Sequence, residues 1–169
     1  GRGTPIAGDL FSLAPRCRPS EPEPREGTTR IQLFFMCDED LLMAPPRPTF
    51  RLVPSAQNPV EAALTELLKG PTAAERKAGF TSWFSDQTAG MLRSVRLTPQ
   101  GRAVVDFAAA LPRTIPNAST SAGSMALRME LAHTLFQFPE VKEIEPLVDG
   151  RCEVFGAWMQ TDCLVIKRP

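Results

Sequence analysis

Asn58-Pro59-Val60-Glu61-Ala62-Ala63-Leu64-Thr65-Glu66-Leu67-Leu68-Lys69-Gly70-Pro71 spells out a helix with its start, its buried face and its end. Asn58 supplies an N-cap oxygen, and Pro59 stands at the first helical position, where its missing N–H costs nothing. Val60, Ala63, Leu64, Leu67 and Leu68 recur at helical spacing, while Glu61, Thr65 and Lys69 face the other way. Gly70 offers a left-handed terminus, and Pro71 cannot continue the helix. Immediately downstream, Thr72 and Glu75 have capping-box spacing, which predicts a further helical turn over Ala73 to Ala78.

Outward from this helix the pattern changes to strands. Upstream, Ile31 to Met36 is an apolar run of strand length, read as buried on both faces. The stretch between it and the helix holds Pro45, Pro46, Pro48, Pro54 and Pro59, which excludes a helix interior but allows a short edge strand over Thr49 to Val53. Downstream, Met91 to Leu97 and Arg102 to Phe107 flank Thr98-Pro99-Gln100-Gly101 and read as a hairpin. Ser121 or Ser124 then caps a second helix reaching Phe138, with a stripe of Leu127, Leu131 and Leu135, and Pro139 stops it. Val141, Ile144 and Val148 mark a fourth strand, and Pro146 within it argues for an edge position.

The order strand, helix, strand, strand, helix, strand implies an α+β domain with both helices on one face of a four-stranded sheet. Three segments follow: a Pro-rich linker or tether over residues 1–29, the domain over 30–150, and an extension over 151–169 that is expected to form a disulfide-closed hairpin packed on the domain. In the linker, Ile6, Leu10, Phe11 and Leu13 form an apolar cluster able to dock, and Glu21 to Glu26 reads as a solvated string.

The whole chain has 169 residues, 43% of them hydrophobic, enough for one domain with a real core. Lys and Arg number 19 against 19 Asp and Glu, so no net positive field exists to hold a phosphate backbone, and nucleic acid is not an expected partner. No window has the roughly 20 consecutive apolar residues that cross a bilayer.

The four cysteines, Cys17, Cys37, Cys152 and Cys163, include no CxxC pair, and His133 is the single histidine. A metal site is therefore not expected, nor is a cofactor. Disulfides are the favoured reading: Cys152 with Cys163 closes a short loop, leaving Cys17 to tie the N-terminal segment to Cys37. The competing reading is four unrelated thiols in a reducing compartment.

The runs NPVEAALTELLKGPTAAERKAGFTS (58–82), VVDF (104–107) and SMALRMELAHTLFQFPEVKEIEPLVDG (124–150) resemble the GerMN domain, a sporulation and spore-germination module of bacterial envelope proteins. The resemblance covers about residues 30–150. It implies a fold similar to ring-building motifs and a non-enzymatic role in assembly or partner binding. The protein partner would be an envelope protein or a second copy. Membership also implies an extracytoplasmic setting, with anchoring at the outer face of the cytoplasmic membrane through an N-terminal lipid ahead of the present chain. Where the family tends to carry an Ile-Pro step before the second strand, this chain has Trp83-Phe84.

Candidate binding residues are Trp83, Phe84, Asp106, Ser124 and Arg128. The aromatic pair is either core or an exposed anchor. Asp106 either caps backbone N–H groups near the second helix or shares a groove with Ser121, Ser124 and Arg128. Ser124, His133 and Asp106 are the residue types of a nucleophilic triad, but no nucleophile-elbow pattern surrounds any serine, so no catalytic residue is assigned. His133 alone is either a general base or a partly buried structural histidine. The alternative to a protein-binding module is a receptor for a small ligand or cell-wall glycan, held in a pocket between the second helix and the sheet.

Overall fold

A computed structural model describes residues 16–169. The cluster Ile6, Leu10, Phe11 and Leu13 lies outside the described residues. The chain is α+β, with a four-stranded mixed sheet and helices. Among the described residues seven strands form two sheets: β1 (Thr28–Cys37), β2 (Arg47–Pro54) and β3 (Phe80–Thr81) in the order β2-β1-β3, and β4 (Leu92–Leu97), β5 (Arg102–Phe107), β6 (Glu143–Val148) and β7 (Ile166–Lys167) in the order β4-β5-β6-β7. The helices are α1 (Pro59–Leu67), α2 (Ala73–Lys77), α3 (Leu111–Thr114), α4 (Ser121–Leu135) and α5 (Cys152–Trp158).

Local encoding explains α1 and α2. The Asn58 carboxamide accepts from the N–H groups of Val60 and Glu61, and Val60, Ala63, Leu64 and Leu67 are buried. Gly70 is left-handed (φ +72°), and a Cβ there would lie 2.2 Å from the Phe84 carbonyl oxygen. Only glycine fits that crossing. The Thr72/Glu75 capping box is complete, with both reciprocal bonds made.

The first strand departs from expectation. It is not in the four-stranded sheet; β1 pairs antiparallel with β2 over Thr28↔Pro54 to Phe35↔Arg47. Two strands separated by nine residues lose less loop-closure entropy than strands far apart in sequence, so the hairpin forms in preference to a distant partner. Its faces also differ: Ile31, Leu33, Phe35 and Cys37 are buried, whereas Gln32, Phe34 and Met36 are half-buried. The helices α1 and α4 touch each other and both pack on β1.

β6 runs parallel to β5, with Val105 opposite Pro146. Asp149 N–H donates to Phe107 O, so odd-numbered residues of β6 turn their backbone groups to β5 and even-numbered ones turn away. Pro146 therefore has its missing donor on the β7 side, and β7 pairs only with Glu143 and Ile144. The strand is thus not at the edge that Pro146 suggested but between β5 and β7, and the proline is tolerated because the β7 ladder stops short of it.

Residues 151–169 do not form a hairpin. They contain α5, whose Phe155 stacks on Phe107 (6.3 Å between centroids) and meets Trp158 edge-on at 5.6 Å, and then β7. Val154, Phe155 and Trp158 follow helical rather than alternating spacing once the chain turns at Asp149 and Gly150, both at positive φ. Cys152–Cys163 and Cys17–Cys37 are joined as disulfides. The latter pins the start of the described chain: Cys17 is buried, its N–H donates to Ala78 O (2.8 Å), and Arg16 pairs with Asp38.

Candidate interaction surface

Helix α4 has three faces with three tasks. Leu127, Leu131 and Leu135 enter the core. Glu130 and Thr134, also buried, join Gln137 just beyond the helix to serve the free edge of β1. The Gln137 carboxamide accepts from Gln32 N–H (3.0 Å) and donates to Gln32 O (2.7 Å). Thr134 Oγ1 accepts from Phe34 N–H (3.1 Å), and Glu130 Oε2 accepts from Met36 N–H (3.4 Å). Seven residues of helix rise about 10 Å and four of strand about 13 Å, close enough for side chains to bridge the difference. Without these contacts the backbone groups of a strand edge would be buried unpaired.

Glu130 also accepts from Ser82 Oγ at 2.6 Å. Burial drives its carboxyl up to about 8, against the opposing pull of the Ser82 hydroxyl, the Met36 N–H and, at longer range, Arg76. It is a neutral acid at pH 7, compatible with its buried position.

The third face of α4 is only partly covered, with Ala132 and Phe136 packed against the core and the rest open. Met125, Arg128, Met129, Ala132, His133 and Phe136 floor a groove of about 740 Å³, walled by Gln32 and Phe34 of β1 on one side and Leu164 to Pro169 on the other. His133 lies against Phe34 (5.5 Å between rings), and partial burial lowers its pKa. At the end of the helix, Arg168 reaches over the Phe136 ring and donates to the carbonyls of Phe136, Phe138 and Val141. A second cavity of about 290 Å³ separates α4 from the tip of the β1–β2 hairpin. That tip carries Leu41, Leu42 and Met43 at 86%, 75% and 60% exposure. Three successive large apolar side chains in water are unusual on a surface that serves only itself.

The residues singled out from sequence do not converge. Phe84 is 1% exposed and belongs to the core. Trp83 is half-buried and its indole donates to Gly123 O at 3.2 Å. The segment after the short α2 turns inward because Gly70 lets Phe84 approach, so the pair is not an exposed aromatic anchor. Asp106 does not meet α4. It accepts from Gly150 N–H (2.7 Å) and faces Arg93 (3.5 Å), closing the turn after β6. Ser124 is buried and donates to Ser121 O. Of the five, Arg128 alone lines the large groove, where its Nε donates to Ser124 O. Ser124, His133 and Asp106 share no hydrogen bond among the described residues.

Sequence reasoning missed the polar ladder, the hairpin tip and the 164–169 wall. The ladder had a signal: Glu130, Thr134 and Gln137 recur on one side of a helix otherwise read by its leucines. The groups of possible metal ligands all include a cysteine held in a disulfide, whose sulfur is no longer a thiolate donor.

The family profile described as Germane, sporulation and spore germination, matches residues 32–153. The chain belongs to the Germane family. Among solved structures, the Germane fold is shared with the tandem GerMN domains of the sporulation protein GerM from Bacillus subtilis, at TM-score 0.60 and 16% identity over 89% of this chain. The chain spans about half that protein, 49% of its length. The first GerMN domain of the same protein aligns at TM-score 0.50 and 17% identity, over 73% of this chain and 85% of that one. No curated protein matches the sequence. No helix among the described residues is long and apolar enough to cross a membrane.

Proposed function

We propose that this Germane chain is a non-enzymatic binding or assembly module of the bacterial cell envelope, working outside the cytoplasm. Its interaction face is the groove along α4 together with the Leu41–Met43 tip. The observation that carries the reading is the outer face of α4: Met125 and Met129 beside Phe34 form a half-buried apolar groove floor that the fold leaves partly open. Methionine-rich surfaces adapt to a partner's shape at low cost. Two disulfides suit an oxidising compartment. Attachment to the outer face of the cytoplasmic membrane through an N-terminal lipid belongs to the same reading.

A second reading, a receptor for a small ligand or glycan fragment, draws on the same groove because it lies between α4 and β1. Glycan hydroxyls need many free polar partners, and here the Gln137 carboxamide and the Arg168 guanidinium are already bonded to backbone groups. The protein partner is therefore favoured. A photo-crosslinking residue at Met129, tested in cells, should give a discrete protein conjugate that disappears with Phe34→Glu, while the same probe at exposed Glu61 gives none. Conjugates with muropeptides or small metabolites alone would establish the receptor instead.

A further inference from the structure

Resting on that reading, we infer that the partner enters the α4 groove as an extended peptide segment alternating acidic and apolar residues, and adds as a strand to the outer edge of β7. The first argument is where the backbone is open. The free edge of β1 is filled by Gln137, Thr134 and Glu130. β2 carries Pro48 and Pro54, and β4 carries Arg93 and Arg96 with a register irregularity between Leu92 and Ser94. Prolines, charges and bulges are devices that deter strand addition. β7 carries one charge, Lys167, and is two residues long, but no proline or bulge interrupts Ile166–Lys167, and it lies along the groove.

The second argument is direction. Arg168 N–H donates to Lys142 O, and Ile166 stands opposite Ile144. In an antiparallel pair these bonds alternate, so the N–H and C=O of Val165 and Lys167 point away from β6. Neither pair of groups has a backbone partner among the described residues. From Leu164 to Lys167 the segment spans about 10 Å, room for a three- or four-residue strand. Main-chain bonds of this kind supply affinity, and alternate side chains supply selectivity.

The third argument is charge. The groove lining includes Arg128, His133, Lys167 and Arg168 and no aspartate or glutamate, in a chain whose formal net charge is zero. Arg168 is committed to three carbonyls. Arg128 bonds only Ser124 O, and Lys167 pairs with no carboxylate among the described residues. Carboxylates on one face of an incoming strand would meet Lys167, and apolar residues on the face turned to α4 would meet Met125 and Met129, with Arg128 beside them.

The test is a selection of displayed random twelve-residue peptides on the full chain. Enriched sequences should alternate Asp or Glu with apolar residues. Binding should fall by about tenfold or more in Lys167→Glu, through charge reversal, and in Val165→Pro, which removes an outward N–H and no bond to β6. Val165→Ala should bind normally, and the melting temperature of Val165→Pro should stay near that of the parent, separating loss of binding from loss of fold. No enrichment, binders without acidic bias, or binders indifferent to Val165→Pro would overturn the inference. So would uptake on phosphatidylglycerol vesicles, sensitive to Lys167→Glu, in the absence of peptide binders, because the occupant would then be a lipid surface. A protein conjugate at Met129 alongside a failed peptide selection would leave the envelope-module reading standing and remove only the strand-addition geometry.

Discussion

The side-chain amide of Gln137 makes to the backbone of Gln32 both hydrogen bonds that a neighbouring strand would make, at 3.0 Å and 2.7 Å. A helix thereby closes a sheet edge with side chains. Gln137→Ala should cost about 1–2 kcal/mol, the typical loss when a partly buried bonded pair is left unmade. Urea unfolding measures this, and exchange of the Gln32 amide should quicken selectively. His133→Ala, on the exposed side of the same helix, should stay within about 0.5 kcal/mol.

Glu130 makes stability depend on pH. Its folded pKa, about 8, lies above the ordinary value of 4.5. In that window the native state holds a proton that the unfolded chain has lost, so stability is greatest below about 4.5 and falls as pH rises through 8. His133, whose pKa is lowered by burial, acts in the opposite sense below about 6.5. The clean measurement is the melting temperature between pH 6.5 and 9: it should fall in the parent protein and flatten in Glu130→Gln, which keeps the size and the hydrogen-bonding capacity.

Glu75 joins α2 to β2. Its carboxylate receives two bonds from Arg51 (2.7 and 2.8 Å), one from Thr49 and one from the Thr72 N–H. Burial raises its proton affinity, but Arg51, Thr49 and Thr72 together outweigh that and hold it below the usual glutamate value. Glu75→Ala leaves a buried guanidinium unpaired and should cost about 3–5 kcal/mol by chemical denaturation. Replacing Arg51 and Glu75 together by leucine should cost less than Glu75→Ala alone.

Asp106 is 8% exposed and satisfies the N–H of Gly150, which sits at φ +76°. Asp106→Ala strands that donor and should lower stability by about 1–3 kcal/mol, several degrees of melting temperature in a domain of this size. An unchanged melting temperature would return Asp106 to a purely recognitional role.

The Cys17–Cys37 bond closes a loop of 20 residues. Cys17→Ser with Cys37→Ser should cost about 2–4 kcal/mol. Limited proteolysis should then cut within Pro19 to Glu26 before the rest of the domain, because Cys17 no longer holds that segment beside Ala78.

Much of this was legible in the chain itself. Caps and stripes are relations among residues three and four apart, so α1, the Thr72/Glu75 box, the β4–β5 hairpin and most of α4 could be read without neighbours. So could the α+β class and the family. The membership of β1 could not: an apolar run states that a strand is buried and leaves open which partner buries it. Whether Phe84 is core or anchor stays open until Gly70 admits its carbonyl, and Asp106 reads as a helix cap until β6 brings Gly150 against it.

What the sequence alone determined is each segment's local shape, because periodicity, capping and proline chemistry act within a few residues. What only the tertiary structure decided is which edges are closed and which stay open. Gln137 meets Gln32 across 105 residues of chain, and the groove exists only where α4, β1 and the 164–169 segment converge. Such a surface is created by packing at long range, where no pattern in neighbouring residues records it.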